Sequence, residues 1–337
     1  MKRLSVGKIR GLQQIANPDG ILTICAMDHR ESLQRMINKE NPGGVSYEGM
    51  VERKLELCSS LAKYASAVLL DPIFGAAQCI SHSVLPSDTG LLISIEASGY
   101  SGEKDHRLTR LLDDWSVEKI KRMGASAVKI LVYYRPDLKQ LADRQLETVN
   151  AVALECEKYD IPFLVEPMSY PIGSEVNSPR EFATIKGQLV IKTAQNITAL
   201  PIDVLKAEFP ADLHYKKDKA ELIELCRQLD MSSRVPWVIL SAGVDFALFY
   251  QQVEIACQAG ASGFLGGRAV WQEAMDIDDT RERVHYLSTV GADRLKRLTE
   301  IANKYAVSWY KKLGISPREL AQTSENWYKK YRNRGVS

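Results

Sequence analysis

The chain predicts an α/β fold, a (β/α)₈ TIM barrel carrying extra helices at its C-terminal end. Three observations carry that expectation. Eight short apolar runs of strand length lie between about residues 20 and 275. Most of them alternate with stretches of helical periodicity, as βα units require. No Pro/Gly/Ser-rich linker and no fixed-period repeat divides them, so 1–337 reads as a single domain, with the barrel at about 20–275 and a helical extension at about 278–337. A doubly wound open sheet is the competing architecture, but the G-x-G-x-x-G turn that would follow its first strand is absent.

Taken in order, residues 1–20 read as a lead-in helix stopped by the Asn17-Pro18-Asp19-Gly20 turn. Ile21–Met27 is the first strand and runs into Asp28-His29-Arg30. Glu31–Asn38 has helical spacing, and a longer helix follows from Tyr47 to about Tyr64. Ala67–Asp71 and Gly90–Glu96 are strands two and three. Ser116–Gly124 is a helix with serine at its start and glycine at its stop. Ala127–Tyr133 is the fourth strand, Asp137–Tyr159 a long amphipathic helix, and Ile161–Glu166 the fifth strand. Arg180 to about Ala199 is helical, then comes the sixth strand inside Asp203–Pro210. Lys219–Leu229 and Ala247–Gly260 are helices flanking the seventh strand, Pro236–Ser241, and Ser262–Leu265 is the eighth. Residues 278–337 predict two or three helices outside the barrel, ending in the basic, aromatic stretch Trp327–Arg334, which reads as a solvated helix end or a contact in a homo-oligomer.

Composition excludes several classes of function. A net charge of +2 gives no reason to expect nucleic acid or an acidic membrane as partner. No apolar run reaches signal-peptide or membrane-span character, which predicts a cytoplasmic protein. The six cysteines are scattered without a C-x-x-C pair, and the five histidines lack metal-ligand spacing. The expected chemistry uses neither metal nor cofactor.

Lys206 stands in the middle of the apolar run between Pro201 and Pro210. Alternation along a strand puts Val204, Lys206 and Glu208 on one face, with Leu205 and Ala207 on the other. An ammonium on a buried strand must be paired, with Glu208 as one candidate, or lose its charge. An uncharged amine at the mouth of a barrel is a nucleophile toward carbonyls. Barrel chemistry sits at the C-terminal ends of strands, where the sequence offers Asp28, Lys129, Glu166, Lys206, Ser241 and the Gly267-Arg268 pair. Strands four, five and six are neighbours, so Lys129, Glu166 and Lys206 should share one space. A nearby cation favours the uncharged amine, and a carboxylate can shuttle the proton that carbinolamine chemistry needs. Burying these charges for stability alone is unfavourable.

Ser241-Ala242-Gly243 and Gly266-Gly267-Arg268 fall in the loops after strands seven and eight, where barrels commonly hold a phosphate. Glycine lets backbone N–H groups approach an anion, and an arginine fork grips it. A nucleophilic lysine, a second lysine, an acid/base and an anion site together describe a class I aldolase acting on a phosphorylated ketose.

At these residues a family resemblance becomes specific. The stretches AMDHRESLQRM, LLDPIFG, TGLLISIEASGY, LDDWSVEKIKRMGASAVKILVYY, DVLKAEFP, VILSAGV and GGRAVW resemble the class I tagatose-1,6-bisphosphate aldolases. PWVILSAGVDFALF and AGASGFLGGRAVW are also similar to the shorter sulfofructose-1-phosphate aldolases. The resemblance implies Lys206 as Schiff-base lysine with Lys129 beside it, Glu166 as proton-transfer residue and Asp28 as partner of substrate hydroxyls. It further implies that Ser241, Gly243, Gly267 and Arg268 surround the C1 phosphate of a small sugar phosphate. His29, where these families tend to carry glutamine, and Glu166-Pro167, which follows the sulfosugar pattern, leave phosphate and sulfonate open at the far end of the sugar. A sugar-phosphate sensor without catalysis is the alternative from another class.

Overall fold

The apolar runs become eight parallel strands in a computed structural model of the chain, which describes residues 4–316 and 325–331. They are β1 (Leu22–Ala26), β2 (Ala67–Leu70), β3 (Gly90–Ser94), β4 (Ala127–Tyr133), β5 (Phe163–Met168), β6 (Val204–Ala207), β7 (Trp237–Leu240) and β8 (Gly263–Gly266). Each pairs with its sequence neighbours, and β8 returns to β1 through Leu22↔Gly263 and Ile24↔Leu265, closing the barrel. Period-2 alternation sorts the side chains. Leu22, Ile24, Leu69, Leu92, Leu164, Val204, Val238 and Leu265 fill the barrel interior. Their neighbours, among them Cys25, Val68, Ile93, Val165, Leu205 and Ile239, pack between sheet and helices.

The helices are α1 (Val6–Ile15), α2 (Glu31–Ile37), α3 (Tyr47–Leu61), α4 (Ala76–Ser81), α5 (Val117–Arg122), α6 (Lys139–Lys158), α7 (Pro179–Ile197), α8 (Lys219–Ser232), α9 (Phe246–Gln258), α10 (Arg268–Trp271), α11 (Thr280–Tyr286), α12 (Ala292–Tyr305) and α13 (Trp309–Lys312). Side-chain oxygens of Ser46, Ser116, Ser178, Asp218 and Asp245 accept N–H bonds at the starts of α3, α5, α7, α8 and α9. Leu12 and Ile15 of α1 join the interior cluster and close the barrel at its N-terminal end. All six cysteines are buried free thiols. Among the described residues no helix is long and apolar enough to cross a membrane.

The structure departs from the sequence expectations in four places. A short helix, α4, stands between β2 and β3. β5 runs through Pro167 to Met168 instead of ending at Glu166, pairing Val132↔Pro167 and Tyr133↔Met168 with β4. That proline is tolerated because β6 pairs β5 only at Leu164 and Val165, so Pro167 lies on a free edge where a missing N–H costs little. Glu208 does not share the face of Lys206, because β6 ends at Ala207 and the alternation ends with it; Glu208 instead accepts from the Ser169 N–H and hydroxyl at 2.6 Å and lies 3.5 Å from Lys186 on α7. Finally, α12, joined to α11 by a π-helical segment at Leu287–Gly291, packs on β1, β8 and α9. The ring of helices therefore continues past residue 278, where the sequence placed only an outer extension. Of the basic, aromatic end, Trp327–Lys330 is a 3₁₀ turn, and 332–334 lie outside the described residues.

Candidate active site

The C-terminal ends of the strands surround a cavity of about 460 Å³ whose wall includes Asp28, Lys129, Glu166, Lys206, Ser241, Gly267 and Arg268. Lys206 is the third residue of β6 and 5 % exposed. Its Nζ lies 2.7 Å from Glu166 Oε1, on the neighbouring strand. The other Glu166 oxygen is 3.0 Å from Lys129 Nζ, which also meets Asp28 Oδ2 at 2.8 Å and Glu96 Oε1 at 2.6 Å. Of the two states open to a buried lysine, the structure has the paired one. The partner is Glu166, not Glu208.

Lys129 and Glu166 sit deeper than strand ends, as third residue of β4 and fourth of β5. Both strands extend beyond the ring, pairing over six positions from Val128↔Phe163 to Tyr133↔Met168. The charged cluster thus lies below that β4–β5 lip.

Burial disfavours the Lys129 ammonium, yet Asp28, Glu166 and Glu96 together outweigh it and hold its pKa well above the ordinary lysine value. Burial likewise disfavours the Glu166 carboxylate, but Lys129 and Lys206 hold its pKa below the ordinary range. Asp28 is likewise held well below the ordinary carboxylate range, its burial overcome by the same two lysines. Lys129 is therefore held as an ammonium, and Glu166 and Asp28 as carboxylates.

Arg268 opens α10 directly after Gly267 and forms no ion pair among the described residues, and its buried Nε has no hydrogen-bond partner. Burial lowers its pKa, with Glu166 and Asp28 acting in the opposite sense. Gly243 does not line the cavity; it supports the guanidinium from behind. Its φ of +80° suits glycine, and a Cβ there would come within 2.9 Å of Arg268 Cζ. Ala242 beside it is also left-handed, at φ +48°. This turn is what aims Ser241 and Ala242 at the mouth.

His29 stacks edge-on against Trp271 at 5.1 Å between centroids, with its Nδ1 3.9 Å from Asp28 Oδ1. A Cβ on Gly267 would come within 2.9 Å of the His29 ring, so glycine there makes room for it. Burial, reinforced by Arg268, Lys54 and Lys206 against the opposing pull of Asp28, pushes the His29 pKa from 6.5 down to about 3. The unfolded chain takes up this proton below about pH 6.5 while the folded one refuses it until about 3, so stability falls as pH falls through that window. Between pH 7 and 5 this amounts to about 2 kcal/mol. His29→Gln should lose correspondingly less stability over that interval in urea titrations; equal losses would contradict the assignment.

Three residues of the mouth escaped the sequence reading. Glu96, just beyond β3, is the third carboxylate on Lys129. Arg30, 8 % exposed, donates from Nη2 to the Glu96 carbonyl at 2.7 Å and leaves Nη1 buried without a partner. Arg107 lies 4.8, 5.7 and 4.6 Å from the ring centroids of Tyr100, Tyr133 and Tyr170 and has no carboxylate partner among the described residues. Around the cavity, six basic side chains (Arg30, Arg35, Arg107, Lys129, Lys206, Arg268) face four carboxylates (Asp28, Glu31, Glu96, Glu166).

The family model for DeoC/LacD family aldolases matches residues 22–273, from the start of β1 to just past α10. The chain belongs to the DeoC/LacD aldolase family. Curated relatives of this DeoC/LacD aldolase include the tagatose 1,6-diphosphate aldolase of Streptococcus agalactiae serotype V, 33% identical over 91% of this chain and 98% of the relative. The tagatose 1,6-diphosphate aldolase of Staphylococcus aureus (strain bovine RF122) is 31% identical over 90% and 97%. Solved structures agree on the fold. An archaeal fructose-1,6-bisphosphate aldolase, with its catalytic lysine bound to a carbinolamine intermediate, superposes with TM-score 0.54 at 18% identity, over 87% of this chain and all of that one. The fructose-bisphosphate aldolase of Plasmodium falciparum reaches 0.64 at 15% identity, over 91% and 98%. The DeoC/LacD match spans every site residue named above.

Proposed function

We propose that this aldolase cleaves a ketose 1,6-bisphosphate, tagatose 1,6-bisphosphate first among them, to dihydroxyacetone phosphate and glyceraldehyde 3-phosphate through a Schiff base on Lys206. The observation that carries the reading is the 2.7 Å contact of Lys206 with Glu166 in the cavity where Arg268 stands unpartnered. The substrate's C1 phosphate fits Arg268, with Ser241 and the Gly243 and Gly267 turns beside it. This places the C2 ketone against Lys206, positioning that contributes roughly 7–11 kcal/mol in the best cases.

The amine passes its proton to Glu166 and attacks C2. Forming the neutral carbinolamine removes one positive neighbour of Glu166, which makes that carboxylate more basic when protons must move. Water leaves with the help of the Glu166 proton, and the iminium accepts the electron pair. The C4 hydroxyl gives up its proton, to Glu166 in this scheme with Asp28 as second choice, and the C3–C4 bond breaks. The aldehyde departs, C3 is reprotonated, and water hydrolyses the imine. Lys129, fixed as an ammonium, stands beside the reacting oxygens throughout, and Asp28 faces the sugar hydroxyls.

Arg30 and Arg107 favour a second anionic group on the substrate, since each brings to the cavity wall a guanidinium with no carboxylate partner among the described residues. A charged hydrogen bond to such a group is worth about 1.5–3 kcal/mol. Arg107→Met should therefore raise KM for the bisphosphate by about 10- to 100-fold and leave the corresponding 1-phosphate nearly unchanged. An equal effect on both would remove Arg107 from the distal end. A sulfonate would meet the same two guanidinium groups, so product analysis with sulfofructose 1-phosphate decides the runner-up.

A further inference from the structure

Lys54, on the inner face of α3, is fully buried outside the mouth. Its ammonium donates to the carbonyl oxygens of Met27 and of His29, the latter at 2.6 Å, and lies 2.8 Å from Asp71 Oδ2. Asp71, also 0 % exposed, is itself held by the N–H groups of Ile73 and Phe74 at 3.0 and 2.8 Å. The two carbonyls that Lys54 grips are those on either side of Asp28. They lie where the β1 ladder ends, after the Met27 N–H donates to the Leu69 carbonyl at 2.8 Å. A lysine and an aspartate buried together cost desolvation that well-packed apolar side chains at the same places would avoid. What the pair achieves here is geometric: it pins the one turn that carries both Asp28 and His29 into the cavity.

We infer that Lys54 is a positioning residue of the reaction, acting through the Met27 and His29 carbonyls to hold Asp28 against Lys129 and in reach of the sugar hydroxyls. The inference rests on the aldolase reading above and adds to it a residue that never touches substrate. A misplacement of about 1 Å at a substrate-binding carboxylate can lower turnover by on the order of 10²-fold. The half-reaction that ignores Asp28 should not notice. Dihydroxyacetone phosphate presents a ketone and a phosphate but no C4–C6 hydroxyls, so its Schiff base with Lys206 needs only the amine, Glu166 and the anion clamp.

The test is the Lys54→Met/Asp71→Asn double variant, which removes both buried charges together and avoids leaving one of them unpaired. Folding is checked by circular dichroism and thermal unfolding. Two activities are then compared with the wild-type chain: borohydride-trapped adduct with dihydroxyacetone phosphate, and cleavage of tagatose 1,6-bisphosphate. The expected result is adduct formation within about 2-fold of wild type and kcat/KM for cleavage lower by about 10- to 100-fold. Cleavage within 2-fold of wild type, or a parallel loss of both activities, overturns the assignment and leaves Lys54 a packing residue. Asp71→Asn alone is the second variant; it keeps the ammonium but loosens it, and should show the same split at smaller size. If neither variant folds, the pair is structural and the assignment is withdrawn. No adduct in the wild-type chain overturns the aldolase reading itself, an outcome that differs from a loss confined to the variants.

Discussion

Lys206→Ala is expected to lower kcat/KM for ketose bisphosphate cleavage by on the order of 10⁴-fold or more, because it removes the covalent route and not a contact. No other amine can substitute. Among the described residues Lys129 is the only other lysine on the cavity wall, and three carboxylates at 2.6–3.0 Å keep it an ammonium. The substitution should cost little stability, since Glu166 retains Lys129 as partner when Lys206 goes. Activity would vanish while the melting temperature and the affinity for an unreactive ketose phosphate analogue stay near those of the wild type. A residual rate above about 1 % of wild type would place the nucleophile elsewhere.

Glu166→Gln should rank second, with kcat lower by about 10²–10⁴-fold, the usual range for removing a positioned acid/base. Glutamine keeps the size and one acceptor oxygen toward Lys206 but cannot take a proton. The variant should still bind substrate, so the loss belongs in kcat and not in KM. Because Lys129 and Lys206, against the opposing effect of burial, set the Glu166 pKa of the free enzyme below its usual range, wild-type kcat/KM should not fall on the acid side near an ordinary carboxylate value. Steady-state kinetics across pH checks both points. An unchanged kcat in Glu166→Gln would reassign proton transfer to Asp28.

The barrel was legible because buried parallel strands write themselves as short apolar runs, and eight of them with intervening helices allow few other closures. Lys206 was legible for the same reason: a charged residue framed by prolines on such a run stands out. So did the two glycine-bearing turns, whose left-handed Gly243 and confined Gly267 have steric causes. Glu96, Arg30 and Arg107 were not. Arg107 lies in the irregular segment between β3 and α5, whose strand-like pairing is limited to the isolated bridges Glu96↔Leu111 and Ser101↔Leu108. No periodicity tells where such a loop folds back, although arginine within reach of several tyrosines could have been tested as a cage. Lys54 gives no signal in the sequence, since a lysine on an amphipathic helix is ordinarily solvated, and only the ladder end above it explains its burial. Pro167 misled in the opposite direction, because a proline ends a central strand but not an edge.

The central claim is a covalent bond between Lys206 and the ketone carbon of the substrate, and borohydride reduction in the presence of dihydroxyacetone phosphate tests it most directly. Peptide mass mapping should find one reduced adduct, on Lys206, which disappears in Lys206→Ala and persists in Lys129→Met. An adduct on another lysine, or none at all at saturating ketone, would contradict the account.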